Sequence, residues 1–128
     1  MKISKRERVY KFYDMEVTLK KLNLEQQKQL SEQVFRAQSG VVSEIFDAGV
    51  FALRHCIVDF KGLVDEDGNE YKLEKTKDGL LTDETIEDLM SLPVSQELIS
   101  TAFQTASTTP EEIMDVDGNP IKEIELKN

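Results

Sequence analysis

The chain has 128 residues and 14.6 kDa, the length of one ordinary domain. Its composition, with 39% hydrophobic and 32% charged residues but only six Gly and three Pro, excludes a disordered chain and a fibrous repeat. Sixteen Lys and Arg against 25 Asp and Glu give a net charge of −9, which disfavours nucleic acid and anionic membranes as partners.

The N-terminal segment predicts a strand or a hairpin followed by a helix. Large apolar residues alternate with polar ones at Tyr13, Met15, Val17 and Leu19, which is the two-residue period of a half-buried strand. Asn23 then stands where a helix N-cap belongs, with Gln26 three residues later to complete a capping box. We predict the first helix over residues 24–38.

The most apolar part of the chain follows Ser39 and Gly40. Apolar residues recur every three or four positions from Val42 to Phe60, and this spacing predicts a second helix over residues 41–60, with Phe46 and Leu53 in the core. Further apolar residues widen the apolar face beyond half of the helix. The helix therefore lies at the centre of the domain or offers one side to a partner.

Turn and capping signals define the rest of the domain. Asp67 and Gly68 predict the tight turn of a small hairpin, because both residue types tolerate turn geometry. Thr82 caps a third helix, predicted over residues 83–91 and ended by Pro93, and the spacing up to Ala106 predicts a fourth over residues 94–106. We expect one predominantly helical α+β domain over residues 1–106, with a basic extended start. A polar tail over residues 107–128 follows, flexible or folded as a loose hairpin.

The sequence contains no pattern typical of catalysis or metal binding. His55 and Cys56 are neighbours on a predicted helix and point about 100° apart, and no second His or Cys exists to complete a zinc site. The acidic turn at Asp65 lacks the spacing of a calcium loop, because Glu70 occupies the position that requires glycine. We expect a non-enzyme without metal or cofactor.

Charge is distributed unevenly along the chain. Residues 1–36 carry nine basic and five acidic side chains, whereas the remainder carries seven basic and twenty acidic ones. The basic part of one copy facing the acidic part of another would give weak self-association. A solvated basic arm that serves only solubility is the alternative.

The order of elements is itself informative. The apolar helix ends in Leu53-Arg-His-Cys-Ile-Val-Asp-Phe-Lys-Gly-Leu63, an Asp-Gly-Asn turn follows, and the sequences Leu80-Leu-Thr-Asp-Glu-Thr-Ile-Glu-Asp-Leu89 and Leu92-Pro-Val-Ser-Gln-Glu-Leu-Ile99 close the domain. Over residues 9–106 this order resembles the tail assembly chaperones of long-tailed bacteriophages. The resemblance implies a mainly helical protein that coats the long tape-measure protein until tail tube subunits polymerise around it.

The resemblance also implies partners and a location. The tape-measure protein would be the main partner and the tail tube protein a second one, in the host cytoplasm, with the chaperone absent from the mature virion. The candidate partner-binding residues are the apolar side chains Phe46, Val50, Phe51, Leu53, Ile99 and Phe103. Each of these is alternatively an ordinary core residue. Two other classes stay open: a permanent virion component, such as a head-tail connector or tail-completion protein, and a cytoplasmic adaptor unconnected with phage.

Overall fold

In the part of the chain that the structure describes, an antiparallel sheet and four helices make up the α+β fold expected from the sequence. The computed structural model describes residues 5–105 and the backbone of residues 123–124. The elements are β1 (Glu7–Phe12), β2 (Met15–Lys20), α1 (Leu24–Ala37), α2 (Val42–Cys56), β3 (Ile57–Lys61), α3 (Asp83–Met90), α4 (Ser95–Thr105) and β4 (Glu123–Ile124). Apart from β4, the predicted tail over residues 107–128 lies outside the described residues.

The sheet begins with the predicted N-terminal hairpin. β1 and β2 pair antiparallel from Glu7↔Lys20 to Phe12↔Met15, and β3 and β4 flank them in the order β3-β2-β1-β4. The predicted alternation holds at Met15, Val17 and Leu19 and places one face of the hairpin in the core, because successive side chains of a strand point to opposite faces. It is wrong at Tyr13, which lies in the β1–β2 turn with φ +57° and is 77% exposed. The side chains on this buried face are Tyr10, Phe12, Met15, Val17 and Leu19.

Helix α1 begins at the predicted capping box and forms the outside of the helical layer. The Asn23 side chain accepts a hydrogen bond of 2.8 Å from the Gln26 amide, and the Gln26 side chain accepts one of 3.1 Å from the Asn23 amide. Leu30 is the one buried residue of α1, which packs on α2. Gly40, with φ +82°, then turns the chain into α2.

The prediction that the second helix reaches residue 60 is wrong. Helix α2 ends at Cys56, and Ile57 already has extended backbone angles and pairs with Leu19 of β2. Locally, the spacing of Ile57 and Phe60 fits a helix. The segment forms a strand instead, because its β-branched residues pair with β2. Leu19 and Ile57 pair although they are 38 residues apart in sequence, and local periodicity does not reveal such a contact.

The segment after β3 contains the predicted small hairpin. One Asp65 carboxylate oxygen accepts the amides of Asp67 and Asn69 at 2.9 and 3.0 Å, and a bridge joins Val64 to Glu70. The Asp65 carboxylate thus stabilises the turn by accepting hydrogen bonds from the backbone of the turn itself.

Helices α3 and α4 complete the core. Thr82 accepts the Thr85 amide at 3.3 Å, which confirms the predicted cap, and both helices end within one residue of the predicted bounds. The core lies between the buried face of the sheet and the inner sides of α2, α3 and α4. Its fully buried side chains include Leu22, Leu53, Cys56, Leu81, Leu89 and Leu98.

Candidate functional site

Exposed apolar side chains are concentrated at the turn between α1 and α2. Nine large hydrophobic residues within residues 5–105 are exposed, and six of them lie between positions 34 and 46: Val34, Phe35, Val41, Val42, Ile45 and Phe46. Val42 is 80% exposed and Phe46 54%. Soluble monomers rarely display contiguous apolar patches larger than a few hundred Å², so this concentration indicates an interaction surface.

Four of these residues, Val34, Val42, Ile45 and Phe46, line an apolar groove of about 500 Å³ between three helices. Helix α2 forms its floor, α1 and α4 form its walls, and Met90 of α3 contributes to the lining. The lining residues are Val34, Ala37, Val42, Ile45, Phe46, Ala48, Gly49, Met90, Gln96, Ile99 and Phe103. Gln96 is the polar side chain among them, and none of the described lining residues is charged.

The packing of α4 explains why the start of α2 stays uncovered. Ile99 of α4 lies against Gly49, where its Cγ2 would be 3.6 Å from an added Cβ, and Cys56 Sγ lies 3.6 Å from the Ala102 carbonyl oxygen. Helix α4 therefore covers α2 from its middle to its C-terminus. The first turn of α2, which carries Val42, Ile45 and Phe46, faces solvent instead.

Three of the six predicted partner-binding residues line the groove. Phe46, Ile99 and Phe103 come together there, although the sequence also predicted Phe46 in the core, and that prediction is wrong. Val50 and Phe51 are partly buried and line a separate depression that also contains Arg36, Glu44, Asp47 and Arg54.

Leu53 requires a correction. It is fully buried in the core and has no surface on which a partner can bind. Its position one turn beyond Gly49 places it beneath α4, so the apolar spacing that marked it as a site residue reflects packing.

The sequence analysis did not include Val34, Val42 and Ile45 among the site residues. Val42 lies four residues before Phe46 and Ile45 lies directly before it, so the three side chains are neighbours on the first two turns of α2. The available signal was their closeness to the Ser39-Gly40 turn, since residues at the tip of a helical hairpin are the least covered by the rest of a fold.

The ionisable groups of α2 lie away from the groove lining. His55 Nδ1 is 3.3 Å from Gln26 Nε2, and the His55 ring lies 4.1 Å from that of Phe51 between centroids. Burial, together with the positive charges of Arg54 and Lys20, lowers the pKa of His55. Burial raises the pKa of the Cys56 thiol to about 12, so the thiolate nucleophile is suppressed.

Metal-ligand clusters and membrane-spanning helices are both absent from the described part of the chain. Within residues 5–105, no group of three or more His, Cys, Asp or Glu side chains is arranged to hold a metal ion. None of the described helices has both the length and the apolar character needed to cross a membrane. The groove can thus desolvate an apolar surface, but its lining supplies no acid or base. Comparison with known proteins found no matching family, no matching curated protein and no matching solved structure.

Proposed function

We propose that this chain is a tail assembly chaperone of a long-tailed phage, which binds an apolar helical segment of the tape-measure protein and keeps it soluble. The observation that carries the proposal is the groove, whose described lining is apolar except for Gln96 and includes the exposed residues Val42, Ile45 and Phe46. Grooves of this kind bind amphipathic helices by accepting apolar side chains at positions i, i+3, i+4 and i+7. The resemblance in element order supports the identity of the client.

The size and charge of the protein fit this role. A volume of about 500 Å³ accommodates a few side chains of a client helix, so several copies are needed along a long client. The net charge of −9 keeps the resulting complex soluble, because complexes that carry many copies of the chain have the same sign of charge and repel one another. Neither nucleotide nor metal is needed for such binding.

The proposal extends to partners and location. The tail tube protein is the second partner, the complex forms in the host cytoplasm, and the chaperone leaves before the virion is complete. A head-tail connector or tail-completion protein would instead remain in purified particles. Mass spectrometry of those particles therefore separates the two classes, since a stoichiometric amount of this chain in the virion would contradict a chaperone.

Co-expression tests the groove directly. The tape-measure protein is produced with the wild-type chain, with Phe46→Asp or with Tyr13→Asp, and its soluble fraction is measured. We expect the wild type and Tyr13→Asp to keep the client soluble, because Tyr13 is exposed in the β1–β2 turn and is not part of the groove. Phe46→Asp introduces a charge into the groove and should abolish the effect. A client whose solubility is the same with and without this chain would refute the proposal.

A further inference from the structure

Helix α1 carries a second exposed surface, on the side opposite its contact with α2. Leu30 faces α2, whereas Leu24 and Phe35 are 83% and 75% exposed. These two residues are 11 positions apart, which on a helix is about three turns, so they lie within about 20° of one line and about 16 Å apart. Lys28 and Ser31, which are also exposed, lie on the same line between them. We call the surface from Leu24 to Phe35 the α1 stripe.

Charges of alternating sign border the α1 stripe. Glu25, Lys28, Glu32 and Arg36 follow one another at intervals of three or four residues, and all four are exposed. Within residues 5–105, none of the four makes an ion pair within 4 Å, although Arg36 also lines the depression that contains Glu44 and Asp47. The charges of Glu25, Lys28 and Glu32 therefore remain exposed to a partner.

We propose that two copies of the chain associate through the α1 stripe, with their α1 helices antiparallel about a two-fold axis near Leu30. In this arrangement Leu24 meets the partner subunit's Phe35, and the two-fold axis repeats the contact at the other end. Lys28 then faces the partner subunit's Glu32, and Glu25 faces the partner subunit's Arg36. A parallel pair in register would place each charged residue beside the same residue of the partner subunit, and the repulsion between like charges is unfavourable.

A second copy fits this surface better than an unrelated protein because the surface complements itself. The apolar ends and the order of the charges match when one helix is reversed, without any feature from outside the chain. The area is modest, since two apolar residues and the stems of polar ones bury on the order of 1,000 Å² in total, which is the low end for a specific interface. The dimer is accordingly weak and depends on concentration and salt.

The α1 dimer does not rest on the proposed function. Leu24 and Phe35 are not groove-lining residues, although Phe35 lines a neighbouring depression that shares Val34 and Phe103 with the groove. The dimer therefore brings two apolar grooves into one particle. A client with repeated apolar segments would bind such a dimer more tightly than a monomer, since the second contact is intramolecular.

Sedimentation across a wide range of protein concentrations tests the association. We expect a monomer-dimer equilibrium that weakens with salt, and Phe35→Ala should lower the association constant about tenfold as the truncation of an apolar anchor. Phe46→Ala serves as the matched control, because it removes an exposed phenylalanine of the groove, and it should leave the association unchanged. A wild-type chain that stays monomeric at all concentrations, or equal losses for the two variants, would overturn the proposal.

Charge exchange tests the pairing itself. Lys28→Glu should weaken the dimer by placing it opposite the partner's Glu32, and the double variant Lys28→Glu, Glu32→Lys should restore the association. Circular dichroism of each variant checks that α1 is intact. A double variant as weak as the single one would contradict the antiparallel register.

Disulfide trapping reports the orientation. Leu24→Cys and Phe35→Cys are made separately, since native Cys56 is buried and does not compete. When the two variants are mixed under oxidising conditions, the antiparallel arrangement gives a mixed dimer, whereas each variant alone cross-links poorly because its own copies lie about 16 Å apart. Strong cross-linking of Phe35→Cys alone would establish a parallel pair and overturn the proposal.

Discussion

Gly62, directly after β3, stands where the chain cannot accept a side chain. Its φ is +85°, and an added Cβ would lie 2.2 Å from the backbone oxygen of Asp14. Gly68 has a similar φ of +81° but open space around it. We expect Gly68→Ala to cost about 1–2 kcal/mol for the left-handed backbone alone, and Gly62→Ala to cost clearly more because β3 must also move away from the β1–β2 turn. Urea unfolding of both variants measures the difference, and equal losses would contradict the close approach.

Gly49 presents the opposite case, a helical glycine with room for a methyl group. An added Cβ would be 3.6 Å from Ile99 Cγ2, an ordinary van der Waals distance. Gly49→Ala should therefore raise the free energy of unfolding by up to about 1 kcal/mol through the higher helix propensity of alanine. A loss of stability in the same urea experiment would mean that α4 packs more tightly on α2 than the distance indicates.

His55 links pH to the start of α1. Gln26 Oε1 accepts the Asn23 amide of the capping box, so Gln26 Nε2 donates to His55 Nδ1, which needs a neutral imidazole. Because the folded pKa of His55 lies below its ordinary 6.5, the unfolded chain binds the proton first as the pH falls. The contribution of His55 to stability is therefore complete above pH 6.5 and is lost as the pH falls through the lowered pKa.

The replacement His55→Gln isolates this effect from that of the many carboxylates. We expect the wild type to lose stability relative to His55→Gln when the pH is lowered from 7 through the region below 6.5. Free energies of unfolding for both proteins at a series of pH values provide the measurement. A difference between the two proteins that does not change with pH would show that His55 is not coupled to folding.

At the scale of the element, the sequence predicted the helix starts and the N-terminal hairpin, because interactions between residues close in sequence form them. Asn23 and Thr82 marked helix starts because their side chains bond amides within three residues, and the alternation around Val17 marked the hairpin. The strand β3 was missed because pairing with β2 determines it, over a sequence separation that periodicity does not cover. The groove was predicted in part: Phe46, Ile99 and Phe103 were named, but the extent to which α4 covers α2 depends on packing.

The two ends of α2 should respond differently to truncation. Leu53→Ala leaves a cavity in the core and should cost about 2–5 kcal/mol, whereas Phe46→Ala removes a half-exposed ring and should cost less than about 1 kcal/mol. Thermal or urea unfolding compares the two, with circular dichroism to verify helix content. A large loss for Phe46→Ala would mean that the groove is closed in solution.

At the scale of the whole molecule, the reactivity of Cys56 measures how often the core opens. Its side chain is fully buried where the end of α2 packs against α4, and burial raises the pKa of its thiol to about 12. We therefore expect a thiol reagent at pH 8 to label the native protein only through opening of the core, at a rate that rises with denaturant. Rapid labelling of the native protein, compared with the same chain in denaturant, would contradict this burial.

The direct passage from α2 into β3 has a mechanical consequence. Ile57 is both the residue that caps α2 and the first partner of Leu19 in the sheet, so no loop separates the floor of the groove from the ladder. A load applied to a molecule held in the groove would pass from α2 directly into β3, and then into its pairing with β2, whose register shifts between Thr18 and Leu19 beside Ile57. A spin label at Asp47 should accordingly tumble with the whole domain.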